Sequence, residues 1–198
     1  MTSPRFLEEA SKHVEPVYAQ GFFYVSLGYI SYYLVFDYND PYGYYETVLR
    51  DEKLFNDEVS KLWANMQSFL DDEQVVVNNV KVKPRIVMID IGFRGSKRRP
   101  TIVFCIRFKA PIKIGLNIYE NRYEPEVVEY DYVAYWVFPP SSRILKVDMG
   151  SGGEEWDIVS KNILVIYGYK GRKTGGYEYI EFEIKDKYGF NKEEGDPS

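Results

Sequence analysis

The alternation of apolar and polar residues in the second half of the chain predicts a protein built mainly of β-strands. From Gln74 onward, short runs rich in valine, isoleucine and aromatic residues are separated by turn residues at short intervals. This spacing is typical of antiparallel meanders rather than of β-α-β crossovers. The predicted strands cover residues 75–82, 85–93, 101–109, 112–119, 127–138, 144–149, 163–169 and 177–185, and a helical turn is predicted over 156–161.

The first half of the chain predicts two helices and an aromatic strand region. Pro4 after Ser3, followed by acidic residues, indicates a short helix that ends before Pro16. Apolar residues recur at helical spacing over about 45–70, which predicts a long amphipathic helix lying across a sheet. Residues 21–37 are apolar at both alternating positions, so they predict one long or two short strands that are central or meet another chain. The predicted fold is α+β, mostly antiparallel sheet with these two helices.

The uncharged stretch 16–36 is long enough to cross a bilayer. It contains glycine, serine and five tyrosines, which favour a pleated strand over a membrane span. The beginning of the sequence has neither the basic start nor the apolar core of a signal peptide. We therefore expect one domain over 1–198 in the cytoplasm, with no membrane contact and with a flexible polar tail over 187–198.

Composition adds two points to this picture. The net charge is −5, aromatic residues make up 17% of the chain and 19 residues are tyrosine, which suits both sheets and interfaces. Lysine and glutamate are plentiful, whereas glutamine is scarce and no Asn-Gly pair occurs. This composition favours a thermophilic source.

Histidine- and cysteine-based chemistry has little support in the sequence. His13 is the only histidine and Cys105 the only cysteine, so the usual zinc sites and an intramolecular disulfide are not expected. A serine–histidine–aspartate triad would have to use His13. Cys105 lies in an apolar strand, where packing is its expected role. No phosphate-binding glycine-rich fingerprint is present. We expect a non-catalytic protein with no catalytic residues, no metal site and no cofactor.

Asp90 supports an alternative. An aspartate in an apolar strand followed by glycine resembles the first strand of ribonuclease-H-like nucleases and actin-like ATPases, in which it holds a divalent metal. Those folds need later parallel strands with further carboxylates, whereas this chain continues as antiparallel strands. Glu129, Asp131 and Asp148 could join Asp90, although their spacing does not require it. A carboxylate–metal nuclease centred on Asp90 is the second alternative.

Two predicted hairpin tips concentrate positive charge on an acidic chain. Basic loops are natural contacts for phosphates, although lysine and arginine also keep hairpin tips soluble and sheet edges unpaired. A free-standing nucleic-acid-binding module that uses these tips is the first alternative. The candidate nucleic-acid-binding residues are Arg94, Lys97, Arg98 and Arg99 in the first tip, and Lys170, Arg172 and Lys173 in the second.

Tyrosines are also dense around the turn that follows the aromatic strand region. Tyrosine anchors protein interfaces and stacks on nucleic-acid bases. The candidate interface residues are Tyr38, Tyr42, Tyr44 and Tyr45.

Taken together, these features resemble one known family. The chain is an acidic 23.3 kDa α+β protein with thermophile-like composition, tyrosine-rich strands and basic hairpins, the clearest formed by 86–93, 94–99 and 101–108. In size and character it is similar to the seventh subunit of the crenarchaeal type III-B (Cmr) CRISPR effector complex. This resemblance covers the whole chain and implies a non-catalytic accessory subunit in antiviral defence. It implies a homodimer that binds other subunits of a ribonucleoprotein in which RNA is cut elsewhere, and RNA is a further candidate partner of the chain. It carries over no individual site residue.

Overall fold

The computed structural model describes residues 4–186 and has the predicted α+β character, with mostly antiparallel sheets. Ser3 and the predicted flexible tail over 187–198 lie outside the described residues. The helices are α1 (Pro4–Ser11), α2 (Tyr44–Val48) and α3 (Glu52–Asp72). The strands are β1 (Glu15–Ser26), β2 (Tyr29–Asn39), β3 (Gln74–Val77), β4 (Val80–Lys81), β5 (Arg85–Phe93), β6 (Pro100–Lys109), β7 (Gly115–Arg122), β8 (Tyr132–Val137), β9 (Ser142–Asp148), β10 (Glu155–Ser160), β11 (Ile163–Gly168) and β12 (Tyr177–Ile184).

The strands form two sheets. The large sheet has seven strands in the order β10-β11-β8-β1-β2-β6-β5, and the small sheet has five in the order β4-β3-β7-β12-β9. Neighbouring strands are antiparallel in both sheets, except that β1 and β8 run parallel, with Ala19 opposite Tyr132. This pairing joins β8, β11 and β10, from the second half of the chain, to the strands on the other side of β1.

The hydrophobic core lies between the two sheets. Trp136 of β8 packs against Tyr119 of β7 with ring centroids 4.7 Å apart, and Phe138 packs against Phe182 of β12 at 4.6 Å. Helix α3 packs against β5, where the backbone N–H of Ile86 donates to the side chain of Gln67 (3.2 Å). Each sheet therefore has an inner face, which forms the core, and an outer face.

The single long helix predicted over 45–70 is two helices. Helix α2 ends at Val48, and α3, of 21 residues, begins at Glu52. Between them Asp51 is extended, with φ −125° and ψ 115°, and its side chain accepts a hydrogen bond from the backbone N–H of Leu54 (3.0 Å). An aspartate in this position caps the start of a new helix. The apolar pattern over 45–70 therefore continues across the junction between two helices.

The aromatic region belongs to a hairpin of β1 and β2, the two-strand form of the prediction. The turn contains Gly28, which adopts a positive φ of 80° and so suits a residue without a side chain. Because the turn reverses the chain, Phe23 and Tyr32 share the inner face and stack at 4.5 Å. Phe22 and Tyr33 lie opposite each other on the outer face.

The helical turn predicted over 156–161 is wrong, because this segment is the edge strand β10, paired with β11. All six residues of β10 are exposed, so its side chains give no alternation between buried and exposed positions. The part of the chain described by the structure also contains no helix that is both long and apolar enough to cross a membrane.

Candidate functional site

The two predicted cationic tips lie at the same end of the large sheet. The turn at 94–99 joins β5 to β6, and the loop at 169–176 follows β11. The strand pairings show that β5 ends, β6 begins and β11 ends at this same end of the large sheet. Because neighbouring strands are about 4.8 Å apart, the four spacings between β11 and β6 place the two tips about 19 Å from each other.

Nearby acidic side chains engage part of this positive charge. Three of the seven predicted cations form ion pairs: Arg94 with Asp37 (3.4 Å), Lys97 with Glu46 (2.6 Å) and Arg172 with Glu155 (2.6 Å). The hydrogen bond from Arg172 lowers the pKa of Glu155 below its ordinary value. Exposed pairs of this kind contribute about 0–1 kcal/mol, so a phosphate can replace the acidic partner. No ion pair within 4–186 involves Arg98, Arg99, Lys170 or Lys173.

Most of the predicted interface tyrosines are buried or half-buried. Tyr42 is 51% exposed, whereas Tyr45 is buried and Tyr38 and Tyr44 are half-buried. The hydroxyl groups of Tyr44 and Tyr45 donate to the buried carboxylate of Glu58, at 2.8 and 2.9 Å. Tyr42 is therefore the member of this set that offers a largely exposed ring to a partner.

Asp40 holds this turn together, a role that sequence reasoning missed. Its side chain is fully buried and accepts hydrogen bonds from the backbone N–H groups of Gly43, Tyr44 and Tyr45 at 2.8–2.9 Å. Its own N–H donates to the carbonyl of Arg98 (3.1 Å). Asp40 thus caps α2 and links the tyrosine-rich turn to the first cationic tip.

Asp90 is exposed on the outer face of the edge strand β5, opposite Val103. Asp131 accepts a hydrogen bond from the N–H of Lys170 (2.8 Å), and Asp148 accepts one from Gly150 (2.9 Å). Across residues 4–186, no group of three or more histidine, cysteine, aspartate or glutamate side chains could hold a metal ion. No described carboxylate cluster therefore supports the nuclease alternative.

The outer face of the large sheet has an apolar centre, and polar residues such as Gln20, Ser31 and Lys109 surround it. Tyr24, Tyr33 and Met88 lie on this face and keep 44%, 38% and 43% of their surface exposed. An antiparallel sheet with one wet face usually carries polar residues there. A central row crosses five neighbouring strands on this face, and we call it the aromatic row. It consists of Tyr135, Phe22, Tyr33, Cys105 and Met88.

Two opposite charges flank the aromatic row. Asp90 lies two residues from Met88 towards the cationic tips, and Arg107 lies two residues from Cys105 towards the other end of the sheet. Both side chains are exposed, and neither forms an ion pair with another described residue. The outer face thus has an apolar centre with a negative and a positive group on opposite sides.

A cleft of about 280 Å³ lies between the two sheets beside the end of α3. Its walls are mainly aromatic. Gly168 makes room for one of these rings, because a Cβ there would collide with Tyr132. The rings that line the cleft include Phe23, Tyr32, Tyr119, Tyr123, Tyr130 and Tyr132.

Polar residues interrupt these apolar walls, namely Gln20, Thr174, Glu73, Asn121 and Glu178. Glu178 of β12 and Asn121 of β7 are directly opposite in the small sheet. Glu73 follows α3, and its carboxyl group accepts a hydrogen bond from the Asn121 amide (3.1 Å). Burial raises the pKa of Glu73 to about 7. Burial, with repulsion from Glu73 and Glu154, raises the pKa of Glu178 to about 8.

Sequence reasoning missed this cleft, although one signal for it was present. Glu178 has the same alternation as Ile180 and Phe182, which are fully buried in the core. A glutamate at a core position of a strand is rarely left without a partner. Glu178 keeps some accessible surface, and that surface belongs to the cleft.

Comparisons with known proteins give no functional assignment. The sequence matches no protein-family profile and no curated protein. Two solved structures of yeast LTA4 hydrolase are similar, one in complex with bestatin (10% identity, TM-score 0.33) and one native (11%, 0.30). They cover 91% and 87% of this chain but only 33% and 29% of their own, so the chain spans about a third of their length. Similarity at these TM-scores carries no argument about fold or activity.

Proposed function

We propose that the chain is a non-catalytic accessory subunit that pairs with a second copy of itself through the outer face of the large sheet. The observation that supports this proposal is the aromatic row, whose Tyr33 and Met88 are 38% and 43% exposed on either side of the buried Cys105. Contiguous apolar patches on a protein surface mark interaction sites. Tyrosine is also among the residues that contribute most to binding energy at the centre of an interface.

The charges beside the aromatic row favour a second copy as the partner. A symmetric dimer uses the same patch on both subunits, so the patch must be complementary to itself. A two-fold axis in the interface plane, perpendicular to the strands, reverses the ends of each strand but keeps the strand order. Arg107 of one copy would then lie opposite Asp90 of the other, and the two apolar centres would meet.

The size of the outer face also suits a dimer. Six spacings of about 4.8 Å and strands of about eight residues give a face of roughly 750 Å². A standard stable interface buries about 800 Å² on each partner. The face is thus large enough for a specific dimer.

In this proposal the dimer belongs to a cytoplasmic RNA-targeting ribonucleoprotein of the type III-B (Cmr) kind. The resemblance in size, charge and aromatic character supports this assignment. The cationic tips lie at one end of the large sheet rather than on its outer face, so they stay free for RNA or for neighbouring subunits. A pull-down of the tagged chain from its source organism tests the assignment, because the other subunits and guide RNA should be recovered with it.

The dimer predicts a strong effect of a charge at the centre of the aromatic row. Tyr33→Lys should convert the dimer to a monomer, with a dissociation constant at least about 100-fold higher, because each copy would bury a lysine against its partner. Sedimentation equilibrium measures the change. Leu116→Lys is the matched control, since Leu116 is an exposed apolar residue on β7 of the small sheet, and it should remain dimeric. A wild-type protein that is monomeric at 100 μM, on the order of a weak complex, would contradict the proposal.

The proposed orientation has its own test in the charges that flank the row. Asp90→Arg and Arg107→Asp should each weaken the dimer, because each places like charges opposite each other. The double variant should recover most of the lost affinity. Asp90 and Arg107 lie on opposite sides of the aromatic row within one copy, so recovery must come from contacts between copies. Two additive losses would rule out this two-fold arrangement.

A second candidate function is a free-standing nucleic-acid-binding module, favoured by the position of both cationic tips at one end of the sheet. The accessory-subunit proposal predicts that the isolated chain binds single-stranded RNA only weakly, with a dissociation constant above about 1 μM at physiological salt. Fluorescence anisotropy over a series of salt concentrations measures this binding.

Tight RNA binding by the isolated chain would instead support the module. Binding should then weaken for every RNA sequence in Arg98→Ala and Arg172→Ala. Arg143→Ala is the control, because Arg143 is exposed on β9 of the small sheet, away from both tips.

A further inference from the structure

The cleft between the two sheets contains hydrogen-bond acceptors that lack donors. Oδ1 of Asn121 has no partner although the residue is only 6% exposed. The carboxyl group of Glu178 accepts no hydrogen bond from any residue in 4–186, and one oxygen of Glu73 is also free of a described donor. Buried acceptors usually have a partner, so Oδ1 of Asn121 indicates a missing donor. The half-buried carboxyl groups of Glu73 and Glu178 lie next to it.

No lysine, arginine or histidine is among the described residues that line this cleft. The chain thus places two carboxyl groups in a partly closed space without a cation to pair with them. Isolated buried carboxylates are costly unless they are paired or protonated. The space is therefore complementary to a group that brings both hydrogen-bond donors and positive charge.

We propose that this cleft binds a small aliphatic primary amine in its ammonium form, held by Glu73, Glu178 and Oδ1 of Asn121. An ammonium group has three donors and no acceptor, which matches three acceptors from three segments of the chain. The rings of Tyr32, Tyr119 and their neighbours supply π faces, which attract cations. The aliphatic part of the ligand packs against the same rings.

The geometry favours an amine over a metal ion. Ca²⁺ takes six to eight oxygen ligands, more than two carboxyl groups and one amide oxygen provide. The described residues contain no cluster of three or more metal-binding side chains. An aromatic lining also suits an organic cation better than a hydrated metal.

The volume limits the ligand. About 280 Å³ lies just below the usual range of small-molecule pockets, about 300–1,000 Å³. An alkylamine of a few carbons fits this space, and so does the side chain of one lysine. The two sources share the same ammonium chemistry, and the experiment below separates them.

Binding should release protons. Without a ligand, burial holds Glu178 mostly protonated and Glu73 about half protonated near pH 7, because their pKa values are about 8 and about 7. The ammonium group favours the ionised carboxylates, so the protons leave as it binds. Glu154 is the further carboxylate that acts on Glu178, and it already accepts hydrogen bonds from Tyr123 and Gly175. Affinity should therefore rise from pH 5 to pH 8, where an alkylamine stays charged.

Isothermal titration calorimetry with n-butylamine tests the proposal on the full chain. Binding should be at least tenfold weaker at pH 5 than at pH 8, and its heat should depend on the ionisation enthalpy of the buffer. Glu178→Gln should weaken binding at pH 8 at least tenfold, since it keeps the shape but cannot ionise. Glu183→Gln should bind like wild type, because Glu183 lies on the same strand but faces away from the core positions.

Two further titrations complete the experiment. n-Butanol has a similar shape without charge, so equal binding of n-butanol and n-butylamine would overturn the proposal, as would no butylamine binding to wild type. A capped tripeptide with a central lysine identifies the source of the ammonium group. Tighter binding of the peptide assigns the cleft to a lysine side chain, and tighter binding of butylamine assigns it to a free amine. The wild-type pH dependence needs no variant, so a Glu178→Gln protein that failed to fold would leave the test intact.

Discussion

Asp40→Ala is expected to lower the free energy of unfolding by about 4 kcal/mol. Asp40 is fully buried, and its carboxylate accepts three backbone N–H groups, those of Gly43, Tyr44 and Tyr45. Alanine would leave the N–H groups of Tyr44 and Tyr45 without this acceptor, whereas the N–H of Gly43 keeps its longer bond to the carbonyl of residue 40 (3.4 Å). Hydrogen bonds to a charged group contribute about 1.5–3 kcal/mol each, and a buried group that loses its partner costs about 1–3 kcal/mol.

Urea unfolding measures this loss, and two variants define its cause. Asp51→Ala removes the cap of α3. The Asp51 side chain accepts one backbone N–H group on the surface (3.0 Å), so its loss should lower the free energy of unfolding by only about 1 kcal/mol. Asp40→Asn should fall between the two, because one amide oxygen can still accept while the NH₂ group faces a donor. Equal losses in Asp40→Ala and Asp51→Ala would show that burial of the cap is unimportant.

The second large effect is a loss of stability between pH 5 and pH 8. The pKa values of Glu73 and Glu178 are raised to about 7 and about 8 in the folded protein, from an ordinary 4.5. Above pH 4.5 the unfolded chain loses these protons while the folded protein keeps them, so stability falls until the folded pKa is passed. The expected loss is on the order of 3–5 kcal/mol for each carboxyl group.

Glu73→Gln and Glu178→Gln should each flatten this pH dependence, and the double variant should remove most of it. Unfolding by urea at several pH values gives the comparison. The exposed ion pairs of Glu46 and Glu155 do not add to this pH dependence. The pKa values of both carboxyl groups are lowered, so their contributions to stability change below pH 4.5. A double variant with the same slope as wild type would show that these two carboxyl groups titrate normally in the fold.

The sequence predicted strands best where alternation and turn residues agree. Strand β5 has the predicted bounds, and β6 begins one residue earlier than predicted. Only residues 132–137 of the strand predicted over 127–138 form β8. Val127, at the start of the predicted strand, makes only an isolated bridge with Lys173. A bridge of this kind depends on a distant loop, which local patterns do not describe.

The candidate functional features depended more on tertiary structure. The cationic residues were visible as local clusters, but their common position at one end of the large sheet follows from the strand order. The cleft combines α3 with strands of both sheets, so no local pattern could show it. The aromatic row required the reversal at Gly28, which places Tyr33 opposite Phe22 on the outer face.

The parallel pairing of β1 with β8 affects how the sheet can form while the chain is being synthesised. Strand β1 can pair with β2 as soon as the first hairpin is made, but its other edge finds its partner only after residues 132–137 have been synthesised. During that time the nascent chain exposes an unpaired strand edge beside its most aromatic segment. Such edges recruit strands from other chains, so this edge of β1 is open to incorrect pairing until β8 has been made.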